Sequence, residues 1–291
     1  MARRPLLAAL AGLAALTVAA TACAPQKESG SSAGKTPASA ASCTKDKLKL
    51  VKPGQLTVAT DKPAFEPWFK KDDPTNGQGY ESAVAYAVAE KLGFAKNEVK
   101  WVTESFDSSY APGPKKFDFD VNQISVTPAR EKAVTFSDGY YDVQQAVVTL
   151  KDGRFANATQ IAQLKDARIA VQVGTTSLAA VRDQIRPSGQ PKVFSNQIDA
   201  VNALKNKQVD ALVVDLPTAF YVTAAQVDGS KIAGQLPQSS GGGEHFGLLL
   251  QQGNPLVGCL NQAIGRLKSS GDLAKLQQQW LTSAAGAPIL K

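Results

Sequence analysis

The chain has 291 residues, 43% of them hydrophobic and 20% charged, with 32 Lys and Arg against 25 Asp and Glu. It is long and apolar enough for one large or two ordinary folded domains, and too poor in charge for a disordered or collagen-like polymer. A single histidine, His245, with three cysteines and one methionine, excludes a His-rich metal site, a four-cysteine zinc module and any triad built on another histidine. No metal ligands, cofactor or catalytic residues are expected.

The first element in chain order is a targeting segment. Arg3 and Arg4 precede an almost unbroken apolar run from Leu6 to Ala20, and Ala20-Thr21-Ala22-Cys23 follows. A charged start, roughly fifteen apolar residues where ~18–20 would be needed to span a bilayer, and a small-residue exit make residues 1–22 a secretory signal peptide. Its removal takes two bases and no acid, so the formal +7 becomes +5. The remaining Lys and Arg are dispersed rather than aligned with aromatics, so nucleic acid is not an expected partner.

Two cleavage readings compete at this exit. Ala20-Thr21-Ala22 suits an ordinary signal peptidase, whereas Thr21-Ala22-Cys23 ends like a bacterial lipobox, with Ala20 in place of the usual Leu. Cysteine parity favours the lipobox. An odd thiol is a liability in an oxidising compartment, and a lipid on Cys23 leaves Cys43 and Cys259 as an even pair for a disulfide. Several acyl chains would anchor a secreted lipoprotein to the outer face of the cell membrane, the lipid being its only membrane contact. Residues 23–42, rich in Ser, Ala, Gly, Pro and Lys without apolar periodicity, read as a flexible tether. Gly30-Ser31-Ser32-Ala33-Gly34 matches the G-x-S-x-G pattern of serine hydrolases but lacks the flanking strand and helix that the motif requires.

From Cys43 onward, β-rich runs alternate with helical patterns. The runs are Gln55–Thr60, Val99–Thr103, Phe117–Gln123, Arg168–Gly174 and Val209–Asp215. Helical spacing places Val84, Val88 and Leu92 on one stripe, Ile198, Val201 and Leu204 on another, and Leu256, Leu260, Ile264 and Leu267 on a third, which Gly271 separates from a final helix reaching Trp280. This order makes an α/β fold, whose ligands gather where strands end and helices begin.

Three such junctions carry suitable chemistry. After the strand through Val121, Ser125 offers a hydroxyl and Arg130 a planar fork for a carboxylate. Gly174-Thr175-Thr176 ends a strand and opens the helix Leu178–Ile185, exposing N–H groups to an anion. Asp215 ends a third strand and suits an ammonium group. Each has a plainer reading: Asp215 or Thr176 as a helix cap, Arg130 as half of a surface salt bridge. Together they are what an α-amino acid zwitterion needs.

The chain resembles the extracellular solute-binding proteins of ABC transporters, family 3, which bind polar amino acids. The resemblance spans nearly all of residues 47–281. It is carried by Gly79-Tyr80-Glu81, Phe117-Asp118, Ser125 through Arg130, Phe136-Ser137-Asp138-Gly139-Tyr140-Tyr141, Gly174-Thr175-Thr176, Val209-Asp210-Ala211 with Asp215, and Gly253-Asn254-Pro255. It implies a two-lobed, periplasmic-binding-protein type II clamshell with two crossover hinge segments, lobe 1 being residues 43–146 plus 244–291 and lobe 2 residues 147–243. Gly241-Gly242-Gly243 would be a pliable loop leading into the return crossover, and His245 a structural residue of that strand.

By the same resemblance Arg130 and Ser125 hold the ligand carboxylate with the N–H of Thr176, and Asp215 pairs with the ammonium beside the carbonyl of Gln123. Phe65 and Phe106 sandwich the side chain, and Asp61, Asn122 and Gln172 read its chemistry. Gln123 stands where many members have a smaller residue. The implied partners are a polar amino acid and a membrane permease, and the chain is expected to be a monomer and no enzyme. A same-fold enzyme, such as a dehydratase of cyclic carboxylic acids, and an amino acid-sensing receptor remain as alternatives.

Overall fold

A computed structural model describes residues 43–238, 243–281 and 287–291. The signal segment, Cys23, the tether, Gly241 and Gly242 lie outside the described residues. The first half contains β1 (Leu56–Thr60), α1 (Tyr80–Lys91), β2 (Val99–Thr103), the short α2 (Phe106–Ser109), β3 (Phe119–Asp120) and β4 (Val134–Asp142). Next come β5 (Gln145–Leu150), β6 (Ile169–Gln172), α3 (Thr176–Ala180), β7 (Lys192–Phe194), α4 (Gln197–Lys205), β8 (Ala211–Asp215), α5 (Leu216–Tyr221) and β9 (Ser230–Gln235). Finally β10 (His245–Gln251) leads to α6 (Val257–Ser269) and α7 (Asp272–Leu281).

These strands form two five-stranded sheets, ordered β2-β1-β3-β10-β4 and β7-β6-β8-β5-β9. In each, four strands run one way and one crossover strand is inserted antiparallel: β10 between β3 and β4, β5 between β8 and β9. The fold is therefore α/β and two-lobed. Both faces of the first sheet are covered, which is why all five residues of β1 are buried. Val58 packs with Val84 and Val88 of α1 and Leu260 and Ile264 of α6, while Ala59 faces Phe117, Ile124 and Leu249. The second sheet is covered likewise, with α4 on one side and α3 on the other.

The head of α1 shows how local chemistry sets an element. Gly79 has φ +93°, and a Cβ there would run into the Trp68 backbone, so only glycine allows the chain to enter the helix at this point. Trp68, Tyr80, Tyr141 and Phe246 then stack edge to face around it. Cys43 and Cys259 form a disulfide with Cα atoms 5.4 Å apart, tying the start of the folded region to α6 across 216 residues.

The expected elements change in three places. The run Phe117–Gln123 shrinks to β3, because the Asp118 carboxylate takes the N–H groups of Val51 and Thr57, both at 2.7 Å, and Gln123 turns to φ +47°. The helix expected from Leu178 begins at Thr176, with Thr175 rather than Thr176 as its cap: the Thr175 hydroxyl accepts from the Leu178 N–H at 3.1 Å. The helical stretch beyond Ala180 is a π-helical segment to Ile185. Residues 287–291, assigned to lobe 1 with the rest of the C-terminal stretch, instead lie along the second sheet. Gln235 N–H donates to Pro288 O at 2.7 Å and Leu290 N–H to Gln235 O at 2.9 Å. Leu290 is buried with Leu164 and Ile169, in space that Gly234 leaves open. The edge of β9 offers unpaired backbone groups, and the C-terminal residues satisfy them.

Candidate functional site

The chain passes between the sheets from β4 to β5 and returns from β9 to β10. The two crossovers touch, with Val143 N–H donating to Glu244 O at 2.9 Å. The parallel strands of both sheets end at a shared cavity of about 400 Å³. All ten residues singled out from the sequence line it: Asp61, Phe65, Phe106, Asn122, Gln123, Ser125 and Arg130 from the first sheet's loops, and Gln172, Thr176 and Asp215 from the second's.

Arg130 is 8% exposed, which sets aside its reading as half of a surface salt bridge. Its Nη1 donates to Ser125 O at 2.7 Å and its Nη2 to Gly174 O at 2.9 Å, the latter reaching the opposite lobe. The guanidinium carbon lies 5.3 Å from the Phe106 ring centre and 4.7 Å from that of Tyr110, so the cation is stacked on aromatic faces. A guanidinium has five donors, and these two bonds do not exhaust it. Gly174, at φ +72°, makes the approach possible, since a Cβ there would collide with the Tyr110 hydroxyl.

Asp215 stands at the cap position of α5 without making a side-chain cap bond. Its Oδ1 instead accepts from Gln145 Nε2 at 2.7 Å. Burial, then the nearby Glu244 charge, push its carboxyl up to about 8. Asp61 accepts from the N–H groups of Lys62 at 2.6 Å and Phe106 at 3.3 Å, and burial raises it from the ordinary range in spite of these bonds. Ser125 Oγ lies 3.3 Å from Thr176 Oγ1 across the cleft and donates to Glu244 Oε1 at 2.5 Å. A hydroxyl that gives its proton to Glu244 cannot at the same time give it to a ligand carboxylate.

The Gly-Tyr-Glu signature supports the site from beneath. Glu81 is fully buried, accepts from Gln123 N–H at 2.7 Å and also from the Gln123 side-chain amide and the Tyr140 hydroxyl. Burial pushes it up to about 7 against these donors. The larger side chain at Gln123 is thus turned onto Glu81.

The sequence reading missed Lys62, Asp107 and the segment from Ser195 to Ala200, all of which line the cavity. Asn196 caps α4, accepting from Asp199 N–H at 2.9 Å and donating to the Asp199 carboxylate at 2.8 Å. The Asn-x-x-Asp pattern was visible, but starting the helix at Ile198 left it outside. Gln145 and Glu244 were also missed, and nothing local marks them.

The chain matches the family described as bacterial extracellular solute-binding proteins, family 3, over residues 56–283. It belongs to this family. An L-arginine-binding protein of Pseudomonas aeruginosa is 27% identical over 239 residues, covering 78% of this chain and 90% of the relative. Among solved structures, an ancestral arginine-binding protein bound to glutamine is 31% identical with a TM-score of 0.65, covering 79% of this chain and 98% of that one. The ancestral amino acid-binding protein AncCDT-1, described as a precursor of cyclohexadienyl dehydratase, is 29% identical with a TM-score of 0.65, covering 78% of this chain and 95% of that one. Like those solute-binding proteins the chain has the type II two-lobed fold, and among the described residues no helix is long and apolar enough to cross a membrane.

Proposed function

We propose that this solute-binding protein captures a polar L-α-amino acid between its two lobes and delivers it to the permease of an ABC importer, working as a monomer tethered outside the cell by a lipid on Cys23. The observation that carries the reading is that Arg130 from one lobe and Asp215 from the other line one cavity. A guanidinium suits the ligand carboxylate and an aspartate its ammonium, with the Thr176 N–H and the Gln123 carbonyl completing the grip and Ser125 joining it once its hydroxyl turns from Glu244 to the carboxylate. Phe65 and Phe106 flank the side chain, and Asp61, Asn122 and Gln172 read its polar end.

Beyond the zwitterion pair, the charged lining groups are Asp61, Asp107 and Asp199 against Lys62. That acidic excess favours a cationic side chain, in keeping with relatives named for arginine. Two or three buried charge-assisted contacts at about 1.5–3 kcal/mol each supply much of the ~8 kcal/mol that a micromolar dissociation constant requires. A transporter that recognises the closed form then distinguishes loaded from empty protein.

A thermal-shift screen of the twenty amino acids on residues 43–291 tests the reading, because a ligand specific to the native state raises its melting temperature. A basic amino acid is expected to give the largest rise; no shift with any of the twenty would end the proposal. Release of the full-length protein from the membrane fraction on Cys23→Ala would support the anchor. A second reading, a dehydratase on this scaffold, draws on Asp215, a carboxyl held protonated near neutrality as a general acid would be. Recovery of unaltered ligand after prolonged incubation separates binder from enzyme.

A further inference from the structure

Behind Ser125 and Asp215, at the point where the two crossovers meet, stands a second acid. Glu244 precedes β10, and its carboxylate accepts from Ser125 Oγ at 2.5 Å and from Gln145 Nε2 at 3.2 Å. The same Gln145 nitrogen donates to Asp215 at 2.7 Å. The nearest oxygens of the two acids are therefore no more than about 6 Å apart, spanned by one amide. Gln145 is itself fixed, its Oε1 accepting from Ser177 Oγ at 2.5 Å. One network thus joins lobe 1 through Ser125, both crossovers, and lobe 2 through Ser177 and Asp215.

The charges around this network do not balance. The charged groups acting on Asp215 are Glu244 from the return crossover, Glu81 from α1 and Arg130 after β3. Tyr141 of β4 faces it as a neutral phenol held protonated by burial, with Asp142 beside that phenol and paired opposite His245. Near Asp215 there are thus three carboxyl groups, counting its own, to one guanidinium, and that guanidinium donates to backbone carbonyls rather than to either acid. Two carboxylates bridged by a neutral amide in a partly dry cleft repel each other, and a shared proton relieves the repulsion.

We propose that Glu244 is a positioning residue of the ammonium subsite: with Asp215 and Gln145 it makes a carboxyl pair that holds one proton in the ligand-free protein and yields it to solvent when the ligand's α-ammonium arrives. The ammonium keeps its own three protons and supplies the positive charge that the departing proton had supplied. This inference rests on the reading of Asp215 as the ammonium partner. It goes beyond that reading in making capture a proton-releasing step set by a residue outside the cavity lining. The upward shift of Asp215, caused first by burial and then by the Glu244 charge, agrees with it.

Isothermal titration calorimetry of residues 43–291 with L-arginine, and with L-glutamine as a second probe, tests this in buffers of different ionisation enthalpy at pH 7. The expected result is release of close to one proton per ligand, with affinity rising up to tenfold per pH unit between pH 6 and 8. Glu244→Gln, which keeps the shape of the side chain and is checked for folding by its melting curve, should release markedly less and show a flattened pH profile. A Glu244 that merely braces the hinge would instead lower affinity equally at every pH. Enthalpies independent of buffer in the unaltered protein overturn the proposal without need of the variant. So does a Glu244→Gln protein with an unchanged proton count. If neither probe binds, the ammonium reading itself has failed. Carbon-13 NMR titration of the ligand-free carboxyls then decides the pair: an Asp215 transition near neutrality that Glu244→Gln lowers supports it, and Asp215 titrating below pH 5 overturns it.

Discussion

The two ends of the cleft handle charge in opposite ways. Arg130 makes its direct contacts with neutral groups, two carbonyl oxygens that accept from it and two aromatic rings that lie against it, while Glu244, Asp215 and Asp107 act on it only through space. It is a fixed cation whose geometry is set before any ligand arrives. Asp215 is surrounded by like charge, with Glu244 and Glu81 within electrostatic reach and a neutral amide as its hydrogen-bond partner. One end is preorganised to meet an anion, and the other gains only when a cation enters. On the proposed function, a zwitterion would relieve the second end while using the first, so that capture would favour closure.

The largest expected effect comes from removing the fixed cation. Arg130→Ala leaves the carbonyls of Ser125 and Gly174 without their donor and the ligand carboxylate unpaired. A loss of about 3–5 kcal/mol, or at least 100-fold in affinity, is expected by calorimetry. Near-wild-type affinity would show that the Arg130 end is structural alone. Asp215→Asn keeps the shape and removes the charge, so a loss of about 10- to 100-fold is expected. It should also raise the melting temperature of the ligand-free protein at pH 8, because it relieves the repulsion from Glu244.

Gly174→Ala probes the approach of the lobes rather than the charges. Its Cβ would strike the Tyr110 hydroxyl, and φ +72° is strained for alanine; roughly tenfold weaker binding is expected, with about 1–2 kcal/mol lost in denaturant melts. The smallest effect is the pH dependence of stability. Asp215 and Glu81 are raised to about 8 and about 7 in the folded protein, against about 4 when unfolded. Between those values the native state keeps protons that the unfolded chain has released. Stability of the ligand-free protein should therefore fall as pH rises from about 4 to 8 and level off above. A melting temperature rising over that window would mean that neither carboxyl is held protonated.

How much of this was legible depended on how local the cause was. α1 was readable because Val84, Val88 and Leu92 repeat at helical spacing, whereas the backbone clash that forces glycine at its entry, Gly79, shows only in the fold. β2 was readable in full. The junction residues were readable because each sits at a strand end, and Cys43 and Cys259 because a lipid on Cys23 would leave them as the even pair. β3 was overestimated, since its flanks are bent by an Asp118 carboxylate that binds Val51 and Thr57, 67 and 61 residues away. Gln145 and Glu244 lie 99 residues apart and look like ordinary polar loop residues until the crossovers bring them together. The C-terminal residues 287–291 gave no sign that they would extend the second sheet instead of following α7 into the first lobe.

The sequence alone determined which groups the cleft would contain: an arginine, a serine and an aspartate at the ends of buried strands, with apolar stripes long enough to hold those strands in sheets. Those features follow from residue type and short-range spacing, which the chain carries wherever it goes. The tertiary structure alone decided what surrounds each charge. Arg130 found carbonyls and rings and became a settled cation, whereas Asp215 was brought beside Glu244 from the far crossover and, buried there, became a carboxyl that holds its proton up to about pH 8. Coulomb energy depends on distance in space and on the exclusion of water, and neither is written in sequence order.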